Sequence, residues 1–239
     1  MLSRVLITPH QGLGDHILCN GIYREIAKTS RKTYITVKKK YASELAYMLR
    51  DCPNVKLVVL PNRRSWTSTR VTQIFARIFR IRVVGLGSYG NAFFVDKTRF
   101  DANFYRQANL DFDFRWKSFY VERNTEKENE IFEKLECGKQ PYLFLHEDIL
   151  RNYKIDRNRI TSDLRIIEPN LDPNRHSIFD YRKVIEFASE IHVIESSFAA
   201  LIESMMLDAP LFAHRYSRGH ALYDVRHEFS YKKGWKILL

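Results

Sequence analysis

Near the start of the chain, Gln11-Gly12-Leu13-Gly14-Asp15-His16 places a carboxylate and an imidazole beside two glycines. The apolar run Val5-Leu6-Ile7 precedes it, and helical apolar spacing at Leu18, Ile22 and Ile26 follows. That pattern is a strand, a tight glycine turn and a helix start. A carboxylate at such a turn can take a proton from a hydroxyl, and the glycines let a bulky ligand approach the backbone. It can equally cap the helix with no chemistry at all.

Three further polar loops close apolar runs in the second half of the chain. His146-Glu147-Asp148, with Arg151 beyond it, follows Tyr142 to Leu145. Glu168 follows the run from Leu164 to Ile167, and Glu195-Ser196-Ser197 follows Ile191 to Ile194. In open α/β sheets, ligands bind beyond the carboxyl ends of the strands, where all four loops fall. Ser196 and Ser197 open a helix, which suits either an anion or plain capping. Arg151 could grip a phosphate in bidentate fashion, or simply pair with Asp148 on the surface. His146 is a donor to phosphate or sugar, or a structural strand-end histidine. Glu168 could accept from ribose hydroxyls, or remain a solvated loop carboxylate.

The elements that must position these residues alternate. Strands are expected at 5–8, 33–37, 55–60 and 82–86, with helices at 15–28, 41–49 and around Val71, Ile74, Phe75 and Ile78. The four apolar residues of that last helix share one face. The aromatic and charged stretch Phe100–Phe119 reads as a last helix and a connector. Thr125 and Glu128 form a capping-box pattern. A second alternating series then runs to a short strand at 211–213, followed by a basic tail ending in Gly234-Trp235-Lys236. Strand–helix alternation argues for parallel sheets with helices on their faces. The expected fold is therefore α/β: two Rossmann-like domains facing a cleft, residues 1–120 carrying the glycine turn and residues 121–239 binding the ligand.

Composition narrows the class. The 239 residues are 45% hydrophobic and 28% charged, which is ordinary for a globular protein, and no apolar run is long enough for a membrane span. No signal-peptide pattern opens the chain, and Cys19, Cys52 and Cys137 are far apart and odd in number. Both points favour reduced thiols in the cytoplasm over a disulfide framework. The net charge of +11 suits phosphate-bearing substrates, an anionic membrane surface or nucleic acid. Its basic residues are scattered rather than gathered in long tracts, so charge alone does not choose among these, although nucleic acid is not the expected partner. There is no DxD and no His/Cys cluster at metal-ligand spacing, so no metal or other cofactor is expected.

Transfer of a sugar with inversion needs a carboxylate to deprotonate the acceptor hydroxyl, and Asp15 is the candidate. The stretch Gly12-Leu13-Gly14-Asp15-His16-Ile17-Leu18 resembles the GxGD-hydrophobic entry of the heptosyltransferase-like glycosyltransferases. The resemblance implies a GT-B fold, metal-independent inverting transfer and Asp15 as catalytic base, with Gly12, Gly14 and His16 on the sugar or acceptor side. Ile191 to Leu201 looks like the strand-to-helix turn that holds the donor diphosphate in that family and in GT-B fucosyltransferases. His146-Glu147-Asp148-x-x-Arg151 is similar in placement to the His-x-Arg loop of the latter, which implies Arg151 at the β-phosphate. The chain departs from the heptosyltransferase pattern at Glu195-Ser196-Ser197, where Asp-Ser/Thr-Gly is usual, and at Ala200 and Leu201, where a histidine is usual. It is also short for the class.

The implied partners are a nucleotide-sugar donor and a glycan or glycolipid acceptor, with peripheral contact to an anionic membrane. The rival is a non-catalytic nucleotide- or nucleic-acid-binding α/β protein. A dehydrogenase or methyltransferase fits less well. Ile17 stands where the third glycine of G-x-G-x-x-G belongs, and no acidic residue closes the second strand after Val37.

Overall fold

Four strands of the first unit hydrogen-bond side by side in parallel, as the apolar runs require. The computed structural model describes residues 3–63, 65–87, 99–169, 175–218 and 230–239. By its contacts the chain divides into two units, one of Met1–Glu122 with Arg226–Ser230 and one of Arg123–Val225 with Tyr231–Leu239.

In the first unit the order is β1 (Arg4–Thr8), α1 (Leu13–Leu18), α2 (Asn20–Thr29), β2 (Lys32–Lys38), α3 (Ala42–Met48), β3 (Val55–Leu60), α4 (Ser65–Ile78), β4 (Arg82–Gly85), α5 (Phe100–Ala108) and α6 (Phe114–Lys117). The sheet order is β3-β2-β1-β4. Central β1 buries Val5, Leu6 and Ile7, as a strand covered on both faces must. The helix expected at 15–28 is interrupted at Cys19, and α2 buries Ile22, Tyr23, Ile26 and Ala27. Gly21 lets α2 approach its neighbours: a Cβ there would stand 2.2 Å from the Phe114 carbonyl oxygen and 2.8 Å from the Tyr105 hydroxyl.

The 100–119 stretch is a helix followed by a short helix and a connector. It is anchored by the Tyr105 hydroxyl, which donates to the Leu18 carbonyl at 2.9 Å. Asn20 holds the connector as a strand partner would, donating to the Tyr120 carbonyl at 3.1 Å and accepting from its N–H at 3.0 Å. Asp101 and Arg115 form a buried ion pair. Ser230 completes it, donating its N–H and hydroxyl to Asp101 at 2.8 and 3.1 Å and accepting from Arg115 at 2.7 Å. The span 88–98, where the sequence alternation breaks, lies outside the described residues.

Val71, Ile74, Phe75 and Ile78 share a face of α4, as their spacing predicts, and that face points outward. Ala76 is the buried residue, and Gln73 turns to the sheet, donating to the Thr8 hydroxyl at 2.7 Å.

The second unit contains α7 (Thr125–Lys134), β5 (Tyr142–His146), β6 (Arg165–Ile167), α8 (Arg182–Glu186), β7 (Glu190–Val193), α9 (Ser197–Glu203), β8 (Leu211–His214) and β9 (Lys236–Leu238). Its parallel sheet runs β6-β5-β7-β8-β9. Leu143, Leu145, Ile155 and Ile194 form a buried cluster beneath its loops. One expectation changes here. Asn124, not Thr125, caps α7, accepting from the Lys127 N–H at 3.2 Å, while buried Glu128 is claimed by Arg123. Beyond the four strands expected in this half, the basic tail adds a fifth at Lys236–Leu238. Glu203 secures its approach, accepting from the Trp235 indole N–H at 2.6 Å and the Lys232 N–H at 2.8 Å.

Candidate active site

The glycine turn is held from several sides. Gln11 donates to the Pro9 carbonyl at 2.9 Å and to the Thr36 hydroxyl at 3.2 Å, tying the turn to β2. Gly12 is the N-cap of α1, and the Asp15 carboxylate reaches back to accept its N–H at 3.0 Å through Oδ2. A Cβ on Gly12 would stand 2.6 Å from that oxygen, so the close approach requires glycine. Gly14 follows in the first turn of the helix and is partly exposed, as is Asp15.

A residue the sequence reading passed over completes the turn. His10 Nδ1 lies 2.5 Å from Asp15 Oδ2. That hydrogen bond holds the imidazole pKa above its ordinary value, against burial and the nearby Lys38 charge. Room for the ring comes from Gly87, whose φ of +74° suits glycine and whose Cβ, if present, would meet His10 Cβ at 3.1 Å. Its signal in the sequence was its place in the loop that ends β1, five residues before Asp15.

His16 was expected on the sugar or acceptor side, and the structure places it elsewhere. Its ring is wholly buried, with Nδ1 2.9 Å from the Tyr23 hydroxyl. Nε2 has no hydrogen-bond partner among the described residues, and burial pushes the pKa down to about 4. The helical phase explains the placement, since residues 16, 20 and 23 share the inward face of α1 and α2.

In the second unit the parallel register sets His146 beside Val193, so the loops after β5 and β7 adjoin. The Ser196 hydroxyl lies 3.1 Å from His146 Nδ1 and, as the N-cap of α9, 3.5 Å from the Ala199 N–H. The His146 ring packs 4.5 Å from the Phe198 ring, centroid to centroid, and burial lowers its pKa to about 4. A neutral imidazole at this strand end can accept or donate without carrying charge. Ser197 begins the helix and is partly exposed. With seven residues α9 has only a small dipole, so the hydroxyls and the imidazole are the stronger polar features.

Glu168 is drawn into a pairing that the sequence did not reveal. Arg157 donates to it at 2.6 Å and also contacts Glu147, whose carboxylate accepts the Ile155 N–H at 2.8 Å. Arg151 sits on an exposed 3₁₀ turn with its guanidinium 3.5 Å from Asp148, the pairing that was the alternative to phosphate binding. Thus Asp15, Gly12 and His10 are brought together in one unit, and His146 with Ser196 and Glu168 with Arg157 in the other. Among the described residues no group of three or more metal-ligating side chains occurs.

No family model matches the chain, and no curated protein matches it. Solved structures do. A glycosyl transferase family 9 protein from Veillonella parvula aligns with a TM-score of 0.53 at 12% identity, over 88% of this chain and 80% of that one. Escherichia coli ADP-heptose LPS heptosyltransferase II aligns with a TM-score of 0.54 at 9% identity, over 98% and 90%. E. coli heptosyltransferase WaaC, solved with ADP, aligns with a TM-score of 0.53 at 13% identity, over 98% and 92%. The protein therefore has the two-Rossmann-like α/β fold of these glycosyltransferases, in a compact form.

Proposed function

We propose that the protein is an inverting, metal-independent glycosyltransferase that moves a sugar from a nucleotide-diphosphate donor to a hydroxyl of a glycan or glycolipid. The observation that carries the reading is Asp15: a partly exposed carboxylate at the carboxyl end of the first strand, fixed by Gly12 and His10, on the fold of the heptosyltransferases. As the acceptor oxygen bonds to the anomeric carbon, Asp15 takes its proton. The bond from that carbon to the diphosphate oxygen breaks, and its electron pair leaves with the nucleotide. His10 is a positioning residue, since its bond to Oδ2 sets the direction of the carboxylate.

Residues 1–120 form the acceptor side in this reading and 121–239 the donor side. Ser196, Ser197 and His146 hydrogen-bond the diphosphate, Arg151 swings from Asp148 to the β-phosphate, and Glu168 accepts from the ribose. Gly12 and Gly14 leave room for the sugar or acceptor. Support comes from the polarity of the adjoining strand-end loops of the second unit and from the net charge of +11, which favours anionic substrates. The setting is cytoplasmic, with the acceptor at an anionic membrane.

The test is transfer or donor hydrolysis with UDP-, GDP-, ADP- and dTDP-sugars in the presence of EDTA, preceded by thermal-shift screening of the nucleotides. Activity in EDTA that falls at least a hundredfold in Asp15→Asn supports the reading. Nucleotide-induced stabilisation without transfer from any donor would favour the non-catalytic binding protein. A stereochemically retained product would overturn the mechanism.

A further inference from the structure

The helix α4 is turned inside out. Hydrophobic burial should send its large apolar residues to the sheet and its small polar ones to water. Instead Gln73 and Ala76 face inward, while Val71, Ile74, Phe75, Ile78 and the following Phe79 expose between 45% and 69% of their surface. At 100° per residue these five side chains cover an arc of roughly 140°, a continuous stripe rather than scattered exposure. The inner face is satisfied without them, because Gln73 bonds Thr8 and the Thr72 hydroxyl donates to the Ser68 carbonyl at 2.8 Å.

The charge carried by this segment of the chain has one sign. Residues 61–87 contain six arginines and no acidic residue. Arg70 and Arg77, seven residues apart, follow one border of the stripe, and Arg80 and Arg82 are exposed beyond its end. A second copy of this chain docked through the same face would bring like charges together. A surface that is apolar inside and anionic at its boundary matches both features at once.

We propose that α4 is a membrane-docking helix that lies in the interface of an anionic bilayer, with Ile74, Phe75, Ile78 and Phe79 among the acyl chains and the arginines at the headgroups. This deepens the membrane-borne acceptor of the reading above. Its test uses no sugar donor, so docking can fail while transfer stands, and the reverse.

The measurement is co-sedimentation of the full chain with phosphatidylcholine vesicles and with vesicles containing 30% phosphatidylglycerol, at low and high salt. Binding to the anionic vesicles at least tenfold tighter than to the neutral ones is expected. Phe75→Ser with Ile78→Ser should weaken it tenfold or more. Arg70→Gln with Arg77→Gln should weaken it about fivefold per arginine and flatten the salt dependence. All four positions are exposed, and unchanged thermal unfolding confirms that each variant folds. Three results would overturn the proposal: no vesicle binding by the unmodified chain, equal binding by the Phe75/Ile78 variant, or self-association that this variant abolishes. Retention on single-stranded nucleic acid in place of vesicles would also count against it.

Discussion

His10 Nδ1 stands 2.5 Å from Asp15 Oδ2, so the carboxylate proposed as the base is already one half of a pair. His10→Gln takes the imidazole away from that carboxylate, and kcat should fall about tenfold while the KM for the donor holds. A merely structural histidine would lower the unfolding midpoint without splitting kcat from KM.

The same pair makes a stability prediction of definite sign. The His10 pKa is raised by folding, so its contribution is fully present below about pH 6.5 and is lost as pH rises through the folded value. His10→Ala should cost more stability at pH 6 than at pH 9, measured by denaturant unfolding at both.

His16 runs the other way. Its folded pKa is about 4, so below about pH 6.5 the unfolded chain takes up a proton that the folded chain refuses. Stability should fall as pH drops from 6.5 toward 4, by on the order of 3 kcal/mol from this group alone. His146 and His214, also held near 4, add to the slope. His16→Phe should flatten the dependence of the unfolding midpoint on pH in that window.

Gly12→Ala places a methyl group 2.6 Å from Asp15 Oδ2. The carboxylate must rotate away from the Gly12 N–H, so transfer should fall at least tenfold while stability drops by only about 1 kcal/mol. A variant with full activity would show that the observed carboxylate position is not the working one.

Asp101→Asn leaves Arg115 buried without its counter-charge. A loss of about 3–5 kcal/mol is expected, read as a lower denaturant midpoint with an unchanged slope.

The two sheets could be read from the chain because their strands are apolar on both faces, a signal that needs no partner to interpret. Val5-Leu6-Ile7 and Leu143-Phe144-Leu145 have no other place to go. The direction of α4 could not, since periodicity reports that Val71, Ile74, Phe75 and Ile78 share a face but not what that face meets. Strand β9 escaped notice because three residues in a basic tail become a strand only when β8 offers its edge. In the candidate site, Asp15 stood out by its glycines, whereas its partner His10 becomes visible only once the turn folds back. His16 was misplaced by reading its type before its helical phase. Arg157 lies in a stretch without period, and only the folded loop brings it to Glu168.

Ser230 carries a consequence for synthesis on the ribosome. The buried Asp101 obtains two of its hydrogen bonds from a residue that emerges 129 positions after it. The amino-terminal unit therefore waits, with that carboxylate incompletely satisfied, until almost the entire second unit has been made. A nascent chain released early, or a fragment cut after Glu122, should be caught by proteases at a point where the finished protein is not.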